Sequence, residues 1–324
     1  MPELKAIAKA HGCNPAAVCL KWAVQRGVVP IPFSVHHYAD NLAAVVSDPL
    51  SEAEMSVMST LERNNRLVKG QVFLWPGAHD WHDLWDENGT IIECNTAYPG
   101  KRTDSINHMK VAEEHGFTEI GNGVDIMDTN GEFKIPVNKG KHLEYDIVGE
   151  GFKKYDSILN LAHGKGHAMG GFGANLKNQS IGIASRNGKA YIHSCGQTED
   201  PNKCWSVDYE QKDFIESMAE AANAVSDYLK ENNKKIVYIT VMNAISVDCD
   251  CDSHQGNPVM DDIGIIGSLD PVANDQAFID MIWSSTDEGH TKMMERVDRQ
   301  EGRHITEYAE SLGLGSTKYE LIEL

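Results

Sequence analysis

Ser157-Ile158-Leu159-Asn160-Leu161-Ala162, running directly into His163-Gly164-Lys165-Gly166-His167, is the stretch on which the reading of this chain turns. Its first six residues make an apolar run of strand length, and the glycines that follow end it and let the main chain approach other groups closely. Outward from there, Lys212 to Lys230 carries a long helical pattern and Lys235 to Met242 a β-branched strand. Ile263 to Gly267 is a further short strand, and a helix opens at Pro271 and runs to Trp283. Upstream, Thr90 to Asn95 reads as a strand and Asp104 to His115 as a helix. Strands separated by helical patterns predict an α/β domain with a mostly parallel sheet covered by helices, over residues 90–324. In such sheets ligands gather at the carboxyl ends of the strands, which is where the His-Gly-Lys-Gly-His run falls.

The donors that could carry chemistry cluster in two places. Asp248-Cys249-Asp250-Cys251-Asp252 with His254 packs thiol, carboxylate and imidazole groups into a few residues just beyond the strand that ends at Met242. Soft and borderline donors at that density suit iron or zinc, and a polar loop with two buried thiols accounts for the same residues. His163 and His167 at the end of the first strand are the expected partners of Cys249 and Cys251, with Asp248 or His254 as a further ligand. An acid/base role for the two histidines, or plain loop packing, fits the same residues. Lys165 and Gly166, with Lys177 and Arg186 as counter-charges, are candidates for binding an anion. A dinucleotide fingerprint is not met, because Gly164-x-Gly166 lacks the third glycine and the acidic residue that should follow. The ferredoxin spacing Cys-x-x-Cys-x-x-Cys is absent, which argues against a four-iron four-sulfur cluster. Asp270, directly before Pro271, reads as a helix cap. His193, Cys195 and Cys204 read as a loop before the long helix, packed or solvated.

The first 89 residues have a different texture. Residues 3–27 read as two helices broken at His11 to Pro15, with Pro15 suited to a first turn and Gly27 to a stop. Val28 to Pro32 reads as a buried strand and His37 to Val46 as a helix. Ser51 and Glu54 form an S-x-x-E capping box that should start a helix ending near Glu62. From Phe73 to Gly89 a tryptophan-containing tail fits neither helix nor strand. The 29 basic and 48 acidic side chains of the whole chain give a formal charge of −19. That balance disfavours nucleic acid and anionic membranes as partners. No apolar run is long enough to cross a bilayer. Seven cysteines at irregular spacing fit a reducing compartment, and the cytoplasm is the expected location.

Two resemblances divide the chain at the same point. Ala17-Val18-Cys19-Leu20-Lys21-Trp22-Ala23-Val24-Gln25-Arg26-Gly27-Val28-Val29-Pro30-Ile31-Pro32, together with Leu50-Ser51-Glu52-Ala53-Glu54-Met55 and Trp81-His82-Asp83-Leu84-Trp85-Asp86, resembles the end of the NADPH-dependent aldo-keto reductases. The resemblance implies an incomplete β/α-barrel fragment over residues 1–89, without the family's catalytic Asp, Tyr, Lys and His. Ser34 is what remains of the adenosine end of the cofactor site, and Phe33 stands where many members have a lysine, so NADPH binding is not expected.

From Thr90-Ile91-Ile92-Glu93-Cys94-Asn95-Thr96-Ala97-Tyr98 through Gly170-Gly171-Phe172-Gly173, Ile181-Gly182-Ile183-Ala184-Ser185-Arg186 and Asp262-Ile263-Gly264-Ile265, the chain resembles domain of unknown function 362. Members of that family are described as uncharacterised iron-sulfur-centre proteins, and the usual first strands of the family are missing upstream of Thr90. The join falls in Asn88-Gly89, as in a fusion of two truncated reading frames. The reading that follows is a redox or metal-associated protein acting on a small anionic molecule or with a redox partner. A non-catalytic ligand-binding or assembly module is its alternative, and no oligomeric state is implied.

Overall fold

The computed structural model describes residues 2–26, 42–43, 45–61, 89–119, 123–249, 251 and 256–323. The chain forms two compact units, Met1–Glu87 and Asn88–Leu324. The expected strand Val28 to Pro32, most of the expected helix His37 to Val46 and the tryptophan tail lie outside the described residues.

In the first unit the helices Pro2–Ala10 and Pro15–Gln25 are separated by the turn at His11. Asn14 caps the second helix by accepting the Ala17 main-chain N–H at 2.8 Å, and Pro15 occupies the first turn, where its missing N–H costs nothing. The helix Glu52–Thr60 begins with the expected capping box: the Glu54 N–H donates to Ser51 Oγ, and the Ser51 N–H donates to Glu54 Oε2 at 2.8 Å. Ile7, Ala8, Val18, Leu50 and Met58 make a small core among these helices. The described residues of this unit include no strand, and among the described residues of the chain there is no closed barrel.

The second unit is mixed α/β. β1 (Ile91–Glu93) pairs in parallel with β2 (Val124–Ile126), and β3 (Glu132–Pro136) pairs antiparallel with β4 (Tyr145–Gly149). The main sheet has the order β5–β8–β9. β5 (Ser157–His163) lies parallel to β8 (Lys235–Met242), and β9 (Gly264–Ser268) lies antiparallel to β8. A short hairpin follows β5, formed by β6 (Lys165–His167) and β7 (Gly171–Gly173). The expectation of a mostly parallel sheet is therefore corrected to a set of small sheets of both senses. The cause is local. Parallel neighbours need a crossover element, and the described residues between β8 and β9 include no helix, so the chain can only return antiparallel.

The helix Gln211–Glu231 forms the centre of the unit. Phe214, Ile215, Met218, Ala221, Ala222, Val225 and Leu229 recur at helical spacing and are buried. Glu220, on the same helix, accepts the main-chain N–H groups of Lys141 at 2.7 Å and Leu143 at 2.8 Å and the Tyr308 hydroxyl at 2.8 Å. One carboxylate thus ties the β3–β4 connection and the helix His304–Leu312 to the core. Asp270 caps the helix Pro271–Ser284 by accepting the N–H groups of Val272 and Ala273, as its position before proline predicts.

The period-two pattern of β5 buries Ile158 and Ala162 under helices and turns Leu159 and Leu161, each 57% exposed, to the other face. Val237 of β8 and Ile265 of β9, 67% exposed, are also turned outward. Helices cover one face of this sheet, and its other face is apolar and open. No helix among the described residues is long and apolar enough to cross a membrane.

Candidate functional site

The turn after β5 places the first donor. Gly164 continues the backbone ladder by donating to the Val241 carbonyl at 2.8 Å, and Gly166 donates to the Ser246 carbonyl at 2.8 Å. A Cβ on Gly166 would sit 2.0 Å from the Val247 carbonyl oxygen, so only glycine lets β6 lie this close to the segment that leads to Cys249. Gly166 therefore has a packing role. Its amide is engaged with the Ser246 carbonyl.

That approach carries His167 to the cysteines. Nδ1 of His167 accepts the main-chain N–H of Met169 at 3.2 Å and of Gly170 at 2.9 Å. An acceptor at Nδ1 puts the ring proton on Nε2, and Nε2 is the nitrogen that faces the sulfurs. It lies 3.9 Å from Cys251 Sγ, and a further hydrogen bond joins the ring to Cys249. The ligand atoms of His167, Cys249 and Cys251 all lie within 4.8 Å of one another.

Lys177 completes the group. It ends the short helix Asn175–Lys177, whose first N–H groups, those of Asn175 and Leu176, donate to the buried Asp275 carboxylate at 2.9 Å each. Anchored in this way, the helix aims the Lys177 ammonium at Cys249 Sγ, 3.9 Å away. Cys249 also accepts the Cys251 main-chain N–H at 3.4 Å. Gly173 lies against both lysines: a Cβ there would meet Lys165 Cε at 3.5 Å and Lys177 Cδ at 3.9 Å, ordinary contact distances.

The electrostatics follow from these contacts. A hydrogen bond from Cys251 holds the Cys249 thiol far below its ordinary range; burial opposes the shift, while His167 and the Lys177 ammonium reinforce it. Cys251 moves the other way, pushed up by its hydrogen bond with Cys249 and by burial. The pair thus carries one thiolate, centred on Cys249. Burial lowers His167, keeping the imidazole neutral. Burial would also lower Lys177, but the neighbouring sulfurs of Cys249 and Cys251 outweigh it, and the ammonium is stabilised.

The remaining expected residues are placed as follows. His163 donates from Nε2 to the Asn243 carbonyl at 2.6 Å and is not among the His167–Cys249–Cys251 group. Asp248 Oδ1 pairs with Arg296 at 2.5 Å, which fixes the loop. Arg186 opens the helix Arg186–His193, with its main-chain N–H on Asp128 at 3.0 Å. His254 and Ser34 lie outside the described residues. His193 ends that helix and is not in a loop. It is buried against Phe214 and Trp205 and pushed down to about 4 by burial, a packed imidazole.

Tyr98 is a residue that the sequence reading missed. Its phenol is raised chiefly by burial, it feels the charges of Cys251 and Lys177, and its hydroxyl accepts from Arg102 at 3.4 Å. It belongs to the loop just after β1, and its position beside the centre depends on long-range packing that no local pattern announces.

Two sulfurs and one imidazole do not fit a four-iron four-sulfur cluster, which takes four thiolates. They do fit a single thiophilic cation with three protein ligands and an open fourth position. A groove of about 600 Å³ between Phe133, Lys134, Tyr228 and Lys234 shares no residue with this centre.

Comparison with known proteins finds two families along the chain. The aldo/keto reductase family matches residues 1–63. The chain is 39% identical over 89 residues to an aldo/keto reductase of Synechocystis sp., covering 26% of this chain and 27% of that protein. It is 44% identical over 69 residues to a methylglyoxal reductase of Yersinia pestis, covering 21% and 26%. It thus spans about a quarter of the length of these curated relatives. No solved structure matches the chain. The family described as domain of unknown function DUF362 matches residues 83–280, which include His167, Lys177, Cys249 and Cys251. Because that match takes in more than half of the chain, the protein belongs to the DUF362 family and carries an aldo/keto reductase segment ahead of the family domain.

Proposed function

We propose that this is a redox or metal-associated protein that holds one iron or zinc ion through Cys249, Cys251 and His167. The observation that carries the reading is the convergence of the three donor atoms within 4.8 Å, from elements far apart in sequence. Lys165 and Lys177 lie beside the sulfurs and suit a small anionic substrate or an acidic redox partner. Electron transfer or metal-assisted chemistry on such an anion is the activity this arrangement supports. The ring proton on Nε2 of His167 must leave when a cation binds there, so binding is expected to release protons and to weaken as pH falls. Free cysteines throughout the described residues suit a reducing location, and the cytoplasm is proposed. The reductase segment has no part in this activity, and NADPH is not proposed as a cofactor.

The test is elemental analysis of anaerobically purified protein alongside a Cys249→Ser, Cys251→Ser variant. About one iron or zinc per chain, lost in the folded variant, supports the reading. A folded wild-type chain that binds neither metal, even after reconstitution, overturns it.

A further inference from the structure

We propose that in the metal-free chain Cys249 and Cys251 form a reversible two-electron dithiol–disulfide couple, in which peroxide reacts first at Cys249 and Cys251 resolves the product. The inference concerns the site of the proposed metal but does not depend on a metal binding there.

Three donors converge on one sulfur. Cys249 Sγ faces the Lys177 ammonium at 3.9 Å, accepts the Cys251 main-chain N–H at 3.4 Å and lies within 4.8 Å of the His167 ring nitrogen. Such surroundings set Cys249 apart as the sulfur that reacts first. Cys94 shows the contrast: it is buried, and its S–H donates to the Ile183 carbonyl. The second requirement is a resolving thiol within reach. Cys251 supplies it, with the two sulfurs inside the 4.8 Å cluster. Cys249 is 4% exposed, which hinders attack by a bulky disulfide more than by a small peroxide.

The steps balance. The Cys249 sulfur attacks one peroxide oxygen; the S–H and O–O bonds break, and the leaving hydroxide takes the thiol proton and departs as water. Cys249 is then a sulfenic acid. The Cys251 sulfur attacks it, a second water leaves, and the S–S bond forms. In total two thiols are oxidised by two electrons and one peroxide is reduced to two waters. A dithiol reductant returns the pair to the starting state.

The experiment treats the whole chain with chelator, adds one equivalent of hydrogen peroxide anaerobically, blocks free thiols and maps the cysteines by mass spectrometry. The exposed Cys19 serves as internal reference. A Cys249–Cys251 disulfide is expected, forming at least about tenfold faster than Cys19 is oxidised, and reversed by dithiothreitol. In Cys251→Ser, dimedone should trap a sulfenic acid on Cys249. In Cys249→Ser, Cys251 should stay unlabelled. Circular dichroism confirms that both serine variants are folded. Oxidation of Cys19 at the same rate as Cys249, or a dimedone adduct on Cys251 in Cys249→Ser, overturns the proposal. Because no metal takes part, failure of the metal reading leaves this test unaffected.

Discussion

Asp248 and Arg296 are joined at 2.5 Å, a pairing that spends on the fold the carboxylate next to Cys249. The guanidinium also donates to the Val247 carbonyl at 3.1 Å, so one arginine clamps the two residues that lead into the thiol pair. If Asp248 positions the loop and does not ligate, Asp248→Asn should keep the metal stoichiometry of the wild type. Its affinity should fall several-fold as the loop loosens, with a stability loss of about 1 kcal/mol. Metal titration with an indicator, paired with urea unfolding, checks both. A halved stoichiometry would make Asp248 a ligand after all.

Gly166→Ala tests the close approach that builds the centre. A Cβ 2.0 Å from the Val247 carbonyl oxygen has no flexible neighbour to displace, only main chain. The variant should lose about 3 kcal/mol of stability, and His167 should be parted from the cysteines. Thermal unfolding reads the first effect. Loss of metal binding in the fraction that remains folded reads the second.

Glu216 governs the acid limb. Burial would raise its carboxyl, but hydrogen bonds from His142, His304 and Lys141 outweigh that and hold it down, to about 2. The folded chain therefore binds this proton less readily than the unfolded chain. The stabilisation is complete above the unfolded carboxylate range near ~4. It is lost as pH falls toward about 2. Glu216→Gln should flatten stability across that window in denaturant titrations at a series of pH values. An unchanged slope would mean that the histidines do not engage the carboxylate.

Asp146 and Asp275 act with the opposite sign. Burial pushes each up to about 7. The folded chain holds these protons more tightly, so their contribution is full below ~4. It fades as pH rises through about 7. The two differ in what they satisfy. Asp275 receives two helix-start N–H groups, whereas Oδ2 of Asp146 has no hydrogen-bond partner among the described residues. Asp146→Asn should therefore raise the melting temperature at pH 8 more than at pH 5. Asp275→Asn should lower it at both, because one helix N–H loses its acceptor. Equal responses of the two variants would contradict the assignment.

Much of the framework was legible because it rests on local rules. The Ser51–Glu54 box, the Asp270 cap, β8 and the helix Gln211–Glu231 follow from capping chemistry and hydrophobic period, and they stand where those rules place them. The β3–β4 and β6–β7 hairpins were not legible. Strands of three to five residues are too short to show a period, and their pairing is set by packing. The site was legible in composition and not in membership. His167, Cys249, Cys251 and Lys177 come together as the residue types suggested. His163 and Asp248 are drawn off by Asn243 and Arg296, partners that no spacing along the chain reveals.

The bare apolar face of β5, β8 and β9 separates resistance to unfolding from resistance to clumping. The covered face and the central helix govern the first. Opposing the second is mainly the mutual repulsion of chains with a formal charge of −19. Salt acts on the two differently. At physiological ionic strength the screening length is already about 8 Å, and sulfate strengthens apolar attraction further. The shelf life of this protein in solution is therefore a colloidal property. Its native chains should salt out while their helices are still intact, and a charge placed at Leu159 or Ile265 should extend that life more than any repair of the core.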